Sequence, residues 1–238
     1  MTQRKPDGPG ASARPTIALR ADALLFDMDG TIADSVEAVE RTWSAWAREF
    51  GVEAPDLARY HGRTAASIAA SVLEDGYVEE ALRRIEELES DPSLPCSPTP
   101  GALELISSLP ADRWGVVTSA VRSVALSRLA NAGFGVPPVF VNGEDVSRGK
   151  PDPEPFALGR ERIGYLLREG TTVIAFEDTA VGLRSARGAG CLAIGIIGTE
   201  DISSLRAHAD HIVSALTDVR VDSVDSDGVH LLIAPHGV

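Results

Sequence analysis

The chain is short of cysteine, aromatic residues and long apolar runs, and short of positive charge. Its two cysteines, Cys96 and Cys191, form no CxxC pair and sit in unrelated contexts, which argues against a disulfide framework or a zinc site. Both read as ordinary thiols, with Cys191 expected inside a buried strand. No stretch approaches the roughly 20 apolar residues that span a bilayer, and the N-terminal segment lacks the apolar centre of a signal peptide, so the expected location is cytoplasmic. Among 238 residues, 22 Lys plus Arg stand against 35 Asp plus Glu, a formal net charge of −13. That balance speaks against a general nucleic-acid or anionic-membrane surface, because such binding draws on clustered Lys and Arg. What the chain does have is apolar material: 44% of residues are hydrophobic, enough for one substantial core and a small accessory domain.

Residues 1–16 combine Pro6, Gly8, Pro9, Gly10, Ser12 and Pro15 with scattered charges and are expected to form a flexible tail. Ala23-Leu24-Leu25-Phe26 is a short apolar run of the kind that fills a strand buried on both faces, and it stops at an acidic, glycine-containing turn. Similar runs recur at 115–118, 172–176 and 192–197, with helical patterns between them at 102–109 and 124–129. Strands alternating with helices predict an α/β fold, a doubly wound parallel sheet of Rossmann-like type, whose ligands bind at the carboxyl ends of the strands. From residue 35 to residue 100 the alternation lapses. Val36, Val39, Trp43, Trp46 and Phe50 recur at helical spacing, and Tyr77 to Leu88 is a second helical stretch, so a helical insertion is expected there, ending in the Pro-rich linker 91–101. The core is then expected to comprise 17–34 and 101–238, ending in a β-hairpin, 219–224 and 229–233, around an Asp-Gly turn.

The residues that close the apolar runs carry the chemistry. Asp27-Met28-Asp29-Gly30-Thr31 places two carboxylates two residues apart, so both can converge on one spot, while Gly30 lets the backbone turn. Such a motif also occurs in plain turns, and in calcium loops, although there the glycine is sixth and a helix precedes. Thr118-Ser119 offers hydroxyls and backbone N–H donors for phosphate oxygens. Gly149-Lys150-Pro151 holds a single ammonium between a glycine and a rigid proline. Glu177-Asp178-Thr179 adds two more carboxylates. Separately, Thr118 reads equally as a turn residue, Lys150 as a surface charge, and Glu177 with Asp178 as a helix cap. Together they are four complementary groups in order, three of them ending a predicted core strand.

This order resembles the haloacid dehalogenase-like superfamily, across about residues 21–215, with motifs at Asp27 to Thr31, Thr118, Lys150 and Glu177-Asp178. The resemblance implies a magnesium ion, held by Asp27, the backbone carbonyl of Asp29, Asp178 and, through a water, Glu177. It also implies Asp27 as a nucleophile that becomes phosphorylated and Asp29 as the general acid and base. Thr118, the Ser119 backbone and Lys150 are then expected to hold the phosphoryl group, and the insertion 35–100 to form an α-helical cap domain. Dehalogenases of the superfamily lack a second Asp at the position of Asp29, so its presence favours phosphoryl transfer.

Within the superfamily the chain looks most like the sugar- and polyol-phosphate phosphatases, on Asp34-Ser35, Glu40-Arg41-Thr42-Trp43, His61-Gly62-Arg63-Thr64, Val117-Thr118-Ser119, Glu144-Asp145-Val146 and Phe176-Glu177-Asp178. It departs from them at Ala120, where Gly is usual, and at Thr179-Ala180-Val181-Gly182, where Ala-Pro-Ala-Gly is usual. The expected partner is a small phosphorylated sugar or polyol, bound by a monomer or weak homodimer. Arg63 and His61 are the cap residues expected to reach it, Arg63 reading equally as an exposed loop residue and His61 as a packing residue, while Trp43, Trp46 and Phe50 are expected to be cap core. A β-phosphoglucomutase-like isomerase is the competing enzyme, but the cap-helix His of such mutases lines up with Val39. A phosphonate hydrolase would need a cap Lys, which 35–100 lacks, and a silent phosphosugar-binding domain would not need the full catalytic set. Hinges for cap closure are expected at Asp34-Ser35 and at 95–100.

Overall fold

The computed structural model describes residues 16–53, 61–91, 93–164 and 171–236. The apolar runs become a six-stranded, wholly parallel sheet. In chain order its strands are β2 (Ala23–Phe26), β5 (Trp114–Val117), β6 (Val139–Val141), β7 (Val173–Glu177), β8 (Leu192–Ile196) and β9 (His211–Val213), and in space they run β6-β5-β2-β7-β8-β9. These strands are short and apolar because both faces are covered: Leu24, Phe26 and Ile174 pack into one cluster and Leu25, Val117 and Ala175 into another. Helices α4 (Ala102–Ser107), α5 (Arg122–Asn131), α6 (Glu154–Gly164), α7 (Ala180–Gly188) and α8 (Ile202–Arg206) lie between the strands in sequence. After β2 the chain builds β5 and β6 on one side, then returns to build β7, β8 and β9 on the other. The reversal puts a crevice at the carboxyl end of β2, flanked by β5 and β7.

The C-terminal hairpin forms as β10 (Val219–Asp225) and β11 (Gly228–Ile233), and it gains a third strand that the sequence pattern did not reveal. That strand is β1 (Ile17–Ala21), antiparallel to β11, so both ends of the described chain close one small sheet over the core cluster. The expected tail lies outside the described residues except for Thr16. Cys191 is buried as expected, but it stands just before β8 rather than within it.

Between β2 and α4 the chain forms α1 (Val36–Glu49), α2 (Ala65–Val72) and α3 (Asp75–Glu89). These three pack around a separate cluster in which Trp46 is fully buried, donates its indole N–H to the Ala81 carbonyl at 2.8 Å and meets the Trp43 ring edge-on at 5.1 Å. Helix α2 has only a weak apolar stripe and is set by its Thr64 cap, whose hydroxyl accepts from Ser67 N. The chain enters and leaves these helices through β3 (Ala33–Asp34) and β4 (Ser97–Pro98), paired antiparallel side by side.

Candidate active site

Asp27 follows the last residue of β2 and is held there by its own N–H, which donates to Phe176 O at 2.9 Å. Phe26 and Phe176, stacked at 5.0 Å, bring the ends of β2 and β7 level, and Glu177 and Asp178 follow immediately. One carboxylate oxygen from each of Asp27, Glu177 and Asp178 lies within 4.8 Å of the others. Lys150 reaches into this group with its side chain fully enclosed. Its Nζ donates to Asp27 Oδ1, to Glu177 Oε1 at 2.6 Å and to Val117 O at 3.1 Å. Thr118, buried one residue past β5, lines the same cavity as Asp27 and Asp178.

Gly30 makes this convergence sterically possible. Its φ is +81°, and a Cβ there would collide with Asp178 Oδ2 and stand 2.6 Å from Thr199 Oγ1. Thr31, next in the turn, donates its hydroxyl to Asp178 Oδ1 at 3.1 Å, and Thr199 donates to Asp178 Oδ2.

Three buried carboxylates facing one ammonium leave an excess of two negative charges in a volume that excludes solvent. The titration shifts express that excess. Burial holds the Asp27 carboxyl well above its ordinary value despite Lys150, with Glu177 and Asp178 adding to the rise. Asp178 is pushed up to about 7 by burial and then by Glu177, against the hydroxyl donors and Lys150. Burial also works against charge on Lys150, but Asp27 and Glu177 outweigh it and the net shift is upward, so the ammonium stays charged. The donor set of hard oxygens and the missing two positive charges fit a divalent cation such as magnesium.

The four acidic residues expected to share the metal are not equivalent. Glu177 Oε2 accepts from Asp178 N, Thr179 N and Thr179 Oγ1 while Oε1 takes Lys150, so its oxygens are engaged and it serves to aim the lysine. The Asp29 carboxylate points away from the cluster: Oδ1 accepts from Ser35 Oγ, and both oxygens lie 3.0 Å from Arg128 Nη1. Any contribution of Asp29 to a metal is thereby limited to its main-chain carbonyl. Ser119 is a similar case. Its hydroxyl donates to Gly62 O at 2.7 Å, which leaves its backbone N–H for an anion.

A cavity of about 350 Å³ opens above these groups, between the helical insertion and the strand ends. Asp27, Asp29, Asp178, Thr118 and Ser119 form its floor, and Val36, Val39, Trp43, Ile68 and Leu82 its apolar wall. Both expected cap residues, His61 and Arg63, line it. His61 Nε2 lies 3.9 Å from Glu40 Oε1, and burial lowers its pKa against the pull of Glu40 and Asp29, which favours the neutral ring. The loop carrying them sits directly on the core. Gly62, at φ +77°, approaches so closely that a Cβ would stand 2.7 Å from Thr179 Oγ1. The remaining polar lining is mainly acidic, with Glu40, Glu86, Glu89 and Glu144 beside Arg128, Thr64 and Thr179. Ala120 also lines the cavity, with its N–H donating to Thr118 Oγ1 at 3.1 Å.

The sequence reading missed Arg128. It is 6% exposed, on α5, among the buried residues Val124, Ala125 and Leu129. A charged residue on an otherwise buried helical stripe was the signal available.

Residues 21–190 match the model of the haloacid dehalogenase-like hydrolase family. The chain is 35% identical over 210 residues to hexitol phosphatase A of Escherichia coli, covering 85% of this chain and 95% of that protein. It is 31% identical over 233 residues to glycerol-1-phosphate phosphohydrolase 2 of Saccharomyces cerevisiae, covering 92% and 91%. Among solved structures, a hydrolase from Pseudomonas syringae superposes with a TM-score of 0.71 at 23% identity, covering 83% of this chain and 95% of that one. The last likeness speaks for the fold.

Proposed function

We propose, from the premise that this chain belongs to the haloacid dehalogenase-like hydrolase family, that it is a magnesium-dependent phosphatase of small sugar or polyol monophosphates. The observation that carries the reading is the separation of Asp27 from Asp29. One is buried in the charge cluster with Lys150, and the other stands two residues on, outside that cluster and on the floor of the same cavity.

The chemistry follows from this placement. Asp27 Oδ attacks phosphorus, the bond to the leaving oxygen breaks with its electron pair, and the Asp29 carboxyl gives that oxygen a proton, releasing the alcohol and leaving an aspartyl phosphate. Water then attacks the phosphorus, Asp29 takes its proton, and the electron pair of the breaking P–O bond returns to the Asp27 carboxylate. Lys150, Thr118 and the Ser119 N–H hold the phosphoryl oxygens throughout. Asp27, Asp178 and the Asp29 carbonyl would hold the magnesium ion, which when bound supplies the positive charge that lets an anionic nucleophile approach an anionic ester. Residues 35–100 act as a cap, with β3 and β4 as its hinge strands, and the loop at 61–64 closes the site over substrate.

A cavity of this size suits a hexitol or smaller polyol, and its acidic lining offers acceptors to hydroxyl groups while repelling a second anion. The named relatives, a hexitol phosphatase and a glycerol-1-phosphate phosphohydrolase, act on substrates of that kind. Val39 on the apolar wall gives no proton-transferring group where a mutase would use histidine, which favours hydrolysis over isomerisation. The test is phosphate release from hexitol, glycerol, hexose and deoxyhexose monophosphates with magnesium, run beside a glucose 1-phosphate isomerisation assay. Release that disappears in folded Asp27→Asn is expected. Isomerisation without release, or no release from any of these esters, overturns the reading.

A further inference from the structure

The Asp29 carboxylate is part of a buried bridge that the proposed chemistry does not use. Arg128 Nη1 donates to both Asp29 oxygens at 3.0 Å, and Arg128 Nη2 donates to Glu89 Oε1 at 2.9 Å. Three segments far apart in sequence meet here: the turn after β2, the last turn of α5 and the last residue of α3. The Arg128 side chain is 7% exposed and that of Glu89 is 10% exposed, so solvent screens the contacts little. Burial disfavours charge on Arg128, yet Asp29 and Glu89 outweigh it and the net shift is upward, so the guanidinium is a permanent cation. A planar guanidinium with one terminal nitrogen on each carboxylate fixes orientation as well as charge, which a freely rotating ammonium does less well. The Asp29 side chain retains 26% exposure and lines the cavity. Ser35 Oγ supplies the only other hydrogen bond to it among the described residues.

We propose that Arg128 is a positioning residue for Asp29, and that Glu89 fixes Arg128 from the helical insertion, so that the acid/base group is aimed only while α3 is docked. This rests on the reading of Asp29 as acid and base. Arg128 is assigned no role toward the phosphoryl group itself: Lys150, Thr118 and the Ser119 N–H serve there, and both terminal nitrogens of the guanidinium are engaged by carboxylates. Its loss should therefore leave nucleophilic attack by Asp27 intact wherever the leaving group needs no proton, and impair the steps in which Asp29 moves one.

The experiment uses p-nitrophenyl phosphate, whose phenolate departs unprotonated, with magnesium and rapid mixing. Arg128→Met is expected to lower steady-state kcat by about 10- to 100-fold without raising KM, and to give a burst of about one p-nitrophenolate per enzyme, because hydrolysis of the aspartyl phosphate becomes the slow step. Arg128→Lys should fall between the wild type and Met. Because Arg128→Met strands a buried Glu89, the double variant Arg128→Met/Glu89→Gln is made alongside, and Glu89→Gln alone, which keeps Arg128 but removes the charge of its α3 partner and so weakens that hold, should show the burst in weaker form. Unchanged or raised kcat, a raised KM, or a uniform loss without a burst overturns the proposal. Asp29→Asn separates the two levels. If it retains wild-type turnover, the acid/base reading itself has failed; if it gives the burst and the Arg128 variants do not, only the positioning role has failed.

Discussion

Asp178 offers a quantitative check on the charge excess. Its carboxyl is raised from 3.8 to about 7, a difference of about three pH units, and at about 1.4 kcal/mol per unit this is roughly 4 kcal/mol. The sign is fixed by proton binding. Between these two pH values the folded protein holds a proton that the unfolded chain has released, so stability falls as pH rises through the window. The full penalty is present above pH 7. Asp27, raised by the same burial and the same neighbours, acts in the same direction. Chelator-treated protein should therefore be more stable at pH 5.5 than at pH 8.5, opposite to the usual trend for paired carboxylates. Asp178→Asn keeps the side-chain shape and an acceptor for Thr31 or Thr199, and should recover up to about 4 kcal/mol at pH 8.5, a rise in Tm of about 8–16 °C for a chain of this length. Millimolar magnesium should stabilise the wild type at pH 8.5 and leave Asp178→Asn nearly unchanged. Urea unfolding at pH 5.5, 7.0 and 8.5 with and without magnesium measures each quantity. Wild-type stability that stays flat or rises with pH without metal, together with an Asn variant no more stable than the parent, would refute the argument.

Further outcomes follow from the same geometry. Lys150→Met leaves Asp27 and Glu177 buried without a cation and should cost about 3–5 kcal/mol in metal-free protein at pH 7.5, read by urea unfolding, with turnover abolished. Gly30→Ala forces a side chain onto Asp178 from a left-handed backbone and should lower stability by about 1–3 kcal/mol, with weaker magnesium binding by calorimetry. The acidic lining of the cavity should make a hexose bisphosphate at least about tenfold poorer in kcat/KM than the corresponding monophosphate, and Glu40→Gln should narrow that gap.

Much of the fold and of the cluster is legible in the sequence, because strands buried on both faces must be short and continuously apolar. A polar residue that ends such a run then falls at the sheet's carboxyl edge. That reasoning is local and needs only the residues of each run, so Asp27, Thr118 and Glu177-Asp178 could be placed at one edge before their distances were known. Helices α1 and α3 were legible for a similar reason, through their strong apolar stripes, whereas α2 was not, since its small residues carry little pattern. Tertiary structure alone decided how the acidic residues divide: Glu177 toward Lys150, Asp29 toward Arg128, and Ser119 Oγ toward the Gly62 carbonyl. It also decided that β1 joins the C-terminal hairpin. Each of these depends on partners between 27 and 216 residues apart in the chain. Periodicity and turn chemistry report on a residue's own segment; which donor meets which carboxylate is fixed only when separate segments pack and every buried polar group must find its partner.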